Sequence, residues 1–156
     1  MTVRLAPMPA DRLADWIEQG HVHYIESRMR SGESREVATE KALRSRAENF
    51  PDGKPLVTHR VFDVVADDET VGCLWLGPLP VGSTDWWVFD IEIDEAHRRK
   101  GYARRALELG ESAVRELGAT TLGLNVFGYN TGAKELYDSL GFEVTATQMK
   151  KSFREE

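Results

Sequence analysis

The chain has 156 residues, and a domain of this length buries about 70% of its unfolded surface without needing a disulfide or a metal ion. Apolar residues make up 41% and charged residues 29%, a globular balance that excludes long disordered or low-complexity segments. The formal net charge of −6 disfavours nucleic acid as the main partner.

The chain also lacks the signals of a membrane or secreted protein. No stretch approaches the apolar length of a membrane span, and Arg4, Pro7 and Asp11 interrupt the N-terminus before a signal-peptide core could form. Cys73 is the only cysteine, which excludes an intramolecular disulfide and a cysteine-rich zinc site. We therefore expect no membrane partner, a cytoplasmic location and, since no linker divides residues 1–156, a single domain.

The N-terminal part predicts a short strand and two helical stretches. The strand lies around Val3 to Leu5, and apolar residues at helical spacing then continue to about Phe50, with an interruption at Gly20. Gly32 ends the first stretch, and the Ser34 hydroxyl can cap the second.

The remainder of the chain predicts strands alternating with helices. Residues 57–66 and 70–79 are rich in β-branched and aromatic side chains and flank an acidic turn, so they predict a β-hairpin. Residues 121–127 and 142–149 predict two later strands, each preceded by a helix that closes at a glycine. This order favours one α/β domain with a mixed sheet.

Residues 86–93 predict a third strand that carries two carboxylates. A period of two places Asp90 and Glu92 on one face, together with Trp86 and Val88. Burial beside such apolar side chains raises the pKa of a carboxylate, which would suit a general base. An acidic recognition patch or a structural ion pair explains the two acids equally well.

A basic turn joins this strand to the next helix. Positive charge is concentrated around Gly101, in the side chains of Arg98, Arg99, Lys100 and Arg104. The N–H groups at a helix start attract an anion, and Gly101 lets the main chain approach a phosphate without a β-carbon. A solvated basic turn at an ordinary helix start is the alternative.

Two motifs in the same order resemble the GCN5-related N-acetyltransferase (GNAT) superfamily. The turn Arg98 to Ala103 is similar to its R/Q-x-x-G-x-G/A signature, with Ala103 at the second glycine, and Asn130 to Phe142 resembles its N-x-x-A-x-x-L-Y-x-x-x-G-F block. The resemblance covers about residues 85–150. It implies an α/β (α+β) fold with a mixed, mostly antiparallel sheet flanked by helices and a splayed strand pair at the cofactor site.

The resemblance implies that acetyl-CoA (coenzyme A) binds to residues 56–150, while residues 1–55 supply a strand and the helices of the acceptor side. Loop amides would hold the pyrophosphate, and the main chain of the preceding strand would meet the pantetheine arm. The positions carried over are Ile91, Ile93, Arg98, Arg99, Lys100, Gly101, Tyr102, Ala103, Arg104 and Asn130. A plain helix cap is an equally good role for Asn130. No metal is implied.

The implied activity is transfer of an acetyl group to a primary amine by direct attack on the thioester. Tyr137 would protonate the departing thiolate, although its helical spacing alone favours a core tyrosine. The amine must lose a proton, and Glu92 and Asp90, acting directly or through water, are the candidate bases, of which we select Glu92. Asn125 replaces the glutamate of relatives that acetylate ribosomal-protein N-termini, which argues against that specific activity.

The acceptor stays open between a small-molecule and a peptide amine. A regulatory domain that binds acyl-CoA without turnover and a protein lysine or N-terminal acetyltransferase are the alternative functions, and the family often forms homodimers. Four acids of the predicted helices could favour a cationic amine: Glu26, Glu33, Glu36 and Glu40. A solvated helical face explains the same acids equally well. The four tryptophans could line the acceptor pocket or belong to the core: Trp16, Trp75, Trp86 and Trp87.

The other titratable groups suggest no separate chemistry. His21 and His23 are neighbours on a predicted helix and point in different directions, so they suit no shared metal ion. We expect Cys73 to be a small core residue rather than a nucleophile.

Overall fold

The computed structural model describes residues 2–153, which form a five-stranded sheet and four α-helices. The strands are β1 (Val3–Pro7), β2 (Arg60–Ala66), β3 (Glu69–Pro78), β4 (Asp85–Ile93) and β5 (Thr121–Gly123). The helices are α1 (Ala10–Arg30), α2 (Arg35–Asn49), α3 (Tyr102–Glu116) and α4 (Thr131–Ser139). Strands β1 to β4 are antiparallel to their neighbours and β5 runs parallel to β4, which confirms the mixed, mostly antiparallel sheet.

Helix α3 packs on one face of the sheet and encloses the core. Its Ala106, Leu107 and Val114 are buried against strand residues that include Leu74 and Leu76. At Gly110 of the same helix face, a β-carbon would come within 2.8 Å of the Leu74 side chain. Small residues on α3 therefore let the helix lie close to β3.

Helices α1 and α2 pack against each other. The predicted interruption at Gly20 is wrong, because α1 continues from Ala10 to Arg30. A glycine inside a helix costs only about 1 kcal/mol relative to alanine, so it weakens a helix without ending it. The predicted cap of α2 is confirmed: the Val37 N–H donates to Ser34 Oγ at 3.2 Å.

A β-bulge in β4 corrects the predicted alternation of that strand. Trp75 pairs with Asp90 and Leu76 with Val88, so Phe89 is an extra residue in the ladder. A bulge reverses which face the following side chains occupy. Val88 therefore lies in the core with the later Ile91 and Ile93, while Asp90 and Glu92 face α1.

The last two predicted strands are shorter than expected or absent. Strand β5 ends at Gly123 and pairs with β4 only at its start, as far as Trp87. Within the described residues, the predicted strand 142–149 does not form, and most of its side chains are exposed, including Val144 and Met149. A strand needs a hydrogen-bonding partner and a packed face, and this segment buries too little for either. The early end of β5 leaves the later part of β4 without a β5 partner, as in the splayed strand pair that the resemblance implies.

Candidate active site

A cavity of about 200 Å³ lies between α1, α2 and the exposed face of β3 and β4. Its apolar wall consists largely of the rings of Trp16, Tyr24, Phe50, Trp75, Phe89 and Phe127. Asp90 and Glu92 belong to its β4 wall, because the bulge turns both carboxylates toward α1. The cavity thus joins an apolar enclosure to a pair of acids.

The basic loop, residues 98–101, precedes α3 and has an unusual main-chain conformation. Arg99 and Gly101 have positive φ angles of 63° and 83°. The Arg105 N–H donates to Gly101 O at 3.1 Å as the helix begins. The N–H groups of the residues between them therefore lie in the first helical turn, where no preceding helical carbonyl can accept them.

The side chains of the predicted cofactor residues have separate roles around this loop. Arg98 Nε donates to the Ile93 carbonyl at 2.8 Å, which ties the loop to the end of β4. Arg104 Nη2 donates to Ser139 Oγ at 2.6 Å and thereby links α3 to α4. Tyr102 packs against the core, whereas Arg99 and Lys100 are exposed. Ala103, one residue after Tyr102, is half-buried and also packs against the core.

Asn130 caps helix α4 in the way its plain structural role requires. The Ala133 N–H donates to Asn130 Oδ1 at 3.2 Å. The same helix carries Tyr137, which is half-buried, and its ring meets Phe142 edge-on at 5.9 Å between centroids. Burial, together with the negative charge of Asp90, raises the pKa of Tyr137. The phenol and Asp90 therefore lie close enough to influence each other.

Asp90 has the strongest electrostatic perturbation among the acids of the cavity. Burial, together with the charge of Glu92, raises its pKa to about 6, and His23 opposes the shift. Asp90 makes no ion pair within the described part of the chain. A carboxylate with a pKa near neutrality can accept a proton and release it again.

Glu92 is the more exposed neighbour of Asp90, and it lies between two basic side chains. His23 Nδ1 is 3.5 Å from Glu92 Oε2, and Arg98 Nη2 is 3.9 Å from Glu92 Oε1. Glu92 therefore connects the cavity to α1 on one side and to the basic loop on the other.

Cys73 faces this acid pair rather than filling the core. Its Sγ accepts a hydrogen bond from Trp16 Nε1 at 3.3 Å and lies 4.0 Å from Asp90 Oδ2. Burial raises the pKa of Cys73 to about 12, with Asp90 adding to the effect. The expectation of a core position is wrong, but the group is a thiol at neutral pH, as its predicted lack of nucleophilic character requires.

The tryptophans and acids proposed for the acceptor side divide into two groups. Trp16 and Trp75 line the cavity, whereas Trp86 is buried in the core and the Trp87 ring covers Gly123. None of the four predicted helix acids lines the cavity. Glu33, for example, binds Arg28 and Lys41 at the α1–α2 turn.

Much of the aromatic wall was missed from the sequence. Phe50, Phe89 and Phe127 come from separate segments, so no local spacing connects them. One signal was present: Trp16 and Tyr24 lie on either side of Gly20 at helical spacing, and this face of α1 lines the cavity.

The described residues provide neither a metal centre nor a membrane span. Across residues 2–153, no group of three histidine, cysteine or acidic side chains could hold a metal ion. None of the described helices is long and apolar enough to cross a membrane.

Comparison with known proteins connects this site to one family. The profile of the acetyltransferase (GNAT) family matches residues 16–142. YycN of Bacillus subtilis (strain 168), named an uncharacterized N-acetyltransferase, is 27% identical over 157 residues, covering 97% of this chain and 99% of YycN. The crystal structure of YycN matches with a TM-score of 0.89, over 99% of this chain and 100% of that one.

Two further proteins share the sequence or the fold of this chain. YdgE of Bacillus subtilis (strain 168), also named an uncharacterized N-acetyltransferase, is 33% identical over 116 residues, covering 73% of this chain and 74% of YdgE. The fold is shared with AAC(6')-Iy, solved with the bisubstrate analogue CoA-S-monomethyl-acetylneamine, at a TM-score of 0.61, 14% identity and 99% coverage of both chains. Because the profile spans both the basic loop and the Asn130 block, this chain belongs to the acetyltransferase (GNAT) family.

Proposed function

We propose that the chain is an acetyl-CoA-dependent N-acetyltransferase that acts on a primary amine. The observation that carries this proposal is the edge of β4 beyond Trp87, which pairs with no described strand. This stretch of β4 carries Asp90 and Glu92 and leads directly to the basic loop. The fold neighbour AAC(6')-Iy binds an analogue in which CoA is joined to acetylneamine, which supports the same pairing of ligands.

The chain's residues fit a CoA-type ligand on two independent grounds. The left-handed conformations of Arg99 and Gly101 leave first-turn N–H groups of α3 beside an exposed cluster of cations, as a pyrophosphate requires. The open edge of β4 offers main-chain groups for pantetheine amides. Since the Ile93 carbonyl is already bonded to Arg98, we assign the main-chain contact to Ile91 first.

When bound, acetyl-CoA supplies a thioester carbonyl that an amine nitrogen attacks directly. Asp90 acts as the base that takes the amine proton, because its raised pKa lies closer to neutrality than that of an ordinary aspartate. Glu92 attracts the ammonium form of the substrate amine. Its contact with His23 provides a route by which the proton reaches solvent. Tyr137 acts as the acid, since burial keeps its hydroxyl protonated until a thiolate needs the proton.

The partly enclosed cavity favours a small-molecule amine over a peptide. A peptide acceptor needs a long open groove, whereas α1, α2 and the sheet surround this cavity on several sides. The experiment is calorimetry of the purified chain with CoA, followed by a thiol-release assay with acetyl-CoA and a panel of small amines and lysine peptides. We expect CoA binding, and thiol release that requires a small amine.

Two outcomes would overturn the proposal, and they differ in meaning. CoA binding without thiol release from any amine would favour a regulatory domain that binds acyl-CoA without turnover. Absence of CoA binding would remove the assigned role of the basic loop.

A further inference from the structure

We infer that the acceptor is a primary amine on a short alkyl chain attached to a single aromatic ring, without a carboxylate group. This inference rests on the proposed function and deepens it by naming the substrate class. It is drawn from the wall, the charge and the volume of the cavity between α1, α2 and β4.

The wall is a set of interlocked rings. Trp16 meets Phe50 and Trp75 edge-on, at centroid distances of 5.7 and 5.5 Å. Phe89 stacks on Trp75 at 4.7 Å. The Trp75 ring is held further, because its Nε1 donates to His59 Nδ1 at 2.9 Å. A preformed aromatic wall of this kind suits an aromatic or compact apolar ligand.

The charge of the cavity lies on one wall. Among residues 2–153, Asp90 and Glu92 are the only acids that line it, and both belong to β4. The lining Arg46 is neutralised, since its Nη1 lies 2.8 Å from Glu18 Oε2. A ligand therefore meets the two acids on the β4 wall, His21 and His23 on the α1 wall, and aromatic rings from several elements. This arrangement matches an ammonium group joined to an apolar body.

The same charge distribution selects against two other classes of amine. An amino acid would bring its α-carboxylate next to Asp90 and Glu92, and like charges in a desolvated site repel strongly. A polyamine would carry a second ammonium into the aromatic region, where no further lining acid is present.

The volume indicates the size of the apolar body that the cavity can cover. A dry cavity of about 150 Å³ is known to hold benzene. The present cavity, about 200 Å³, therefore has room for one ring and a short chain.

The test compares kcat/KM for five amines with acetyl-CoA: 2-phenylethylamine, 2-cyclohexylethylamine, butylamine, phenylalanine and spermidine. We expect 2-phenylethylamine to exceed butylamine by about thirtyfold, from burial of the ring. It should exceed phenylalanine by at least about a hundredfold, because phenylalanine adds only the carboxylate. A higher kcat/KM for 2-phenylethylamine than for 2-cyclohexylethylamine would show that the cavity recognises the π-system of the ring rather than its volume.

A matched pair of variants tests the wall itself. Phe50→Leu should lower kcat/KM for 2-phenylethylamine about tenfold and leave butylamine within about twofold, since butylamine barely reaches the ring. Phe153→Leu makes the same chemical change at an exposed residue outside the cavity and should alter neither value. Circular dichroism confirms that both variants are folded.

The outcomes separate this inference from the proposed function. Turnover that is fastest with spermidine or phenylalanine, or equal for all amines, would overturn the substrate class while the acetyltransferase activity stands. If no amine is acetylated, calorimetry of 2-phenylethylamine with the CoA-saturated chain decides: binding weakened by Phe50→Leu supports the site, and no binding overturns it.

Discussion

The proposed donor side and acceptor side of this acetyltransferase fold differ in the groups that form them: main-chain groups on the donor side and side chains on the acceptor side. The proposed donor side comprises the basic loop, the first turn of α3 and the open edge of β4, and its main-chain groups come from one short stretch of sequence. The proposed acceptor side comprises α1, α2 and the bulged wall of β4, and its lining side chains come from separate segments between Trp16 and Glu92. A site made of main chain depends on local conformation, whereas a site made of side chains depends on how the whole fold packs.

The largest expected effect is a loss of activity at Asp90 that leaves the donor side unchanged. Asp90→Asn should lower kcat/KM for the amine about a thousandfold, because an amide cannot accept the amine proton. Binding of CoA should change little. In the unmodified chain, kcat/KM should fall as pH drops below about 6, since the pKa of Asp90 is raised to about 6 and the carboxyl becomes protonated.

The control for this variant is Asp68→Asn, which makes the same change in the exposed turn between β2 and β3. It should keep full activity and show the same decrease in kcat/KM below about pH 6. If Asp90→Asn retained more than a tenth of the activity, another group, with Glu92 the first candidate, would be the base.

The next largest effect is a loss of CoA binding at the donor side alone. Gly101→Glu should weaken CoA binding about a hundredfold by calorimetry, because it adds an acid and a β-carbon where N–H groups meet the pyrophosphate. The amine cavity should stay intact, so binding of an amine ligand is the second readout.

Backbone strain needs its own control here, since Gly101 has a φ of +83°. Gly101→Ala and Gly118→Ala impose similar strain, because Gly118 has a φ of +94° and neither new β-carbon meets another atom within 4 Å. Equal CoA affinity for Gly101→Glu and Gly118→Ala would contradict the assigned role of the loop.

A smaller effect is expected at Tyr137, where the two sides meet. Tyr137→Phe should lower kcat about tenfold and leave both KM values nearly unchanged, because a thiolate is a good leaving group and water can protonate it in part. Tyr129→Phe, a tyrosine whose ring stacks on Phe127, is the matched control for loss of a hydroxyl group. A rise in KM instead of a fall in kcat would indicate a packing role for Tyr137.

The difference between the sides also explains what could be predicted from the sequence. The basic loop and the Asn130 cap follow local rules of glycine conformation and helix capping, so their residues were found where the structure has them. Whether Arg99, Gly101 and Tyr137 act as assigned remains a prediction.

The acceptor side could not be predicted in the same way. The bulge at Phe89 depends on the register of β3 and β4, and a single extra residue changed the surroundings of Asp90 and Glu92 from core tryptophan and valine to the face of α1. Strand β5 ends at Gly123, which the Trp87 ring covers, and no local pattern specifies this contact. Long-range packing decided these features.

The smallest expected effect tests how the acceptor side is held together. Glu33 lies just after α1, where its carboxylate accepts hydrogen bonds from Arg28, at 3.1 Å from Nη2, and from Lys41 of α2. These cations lower the pKa of Glu33 to about 2. Glu33→Gln should therefore reduce the free energy of unfolding by about 1–2 kcal/mol at pH 7, a partly solvent-screened value.

The pH dependence gives this prediction its sign. A lowered pKa stabilises the fold above the ordinary value of 4.5, and that contribution is lost as pH falls toward about 2. The gap between Glu33→Gln and the unmodified chain in urea melts should thus shrink from pH 7 to pH 3. Glu40→Gln removes only the exposed α2 pair with Arg44, at 3.4 Å, and should cost less than about 0.5 kcal/mol. Equal losses for the two variants would mean that solvent screens the Glu33 cluster fully, and that α1 and α2 are joined by apolar packing alone.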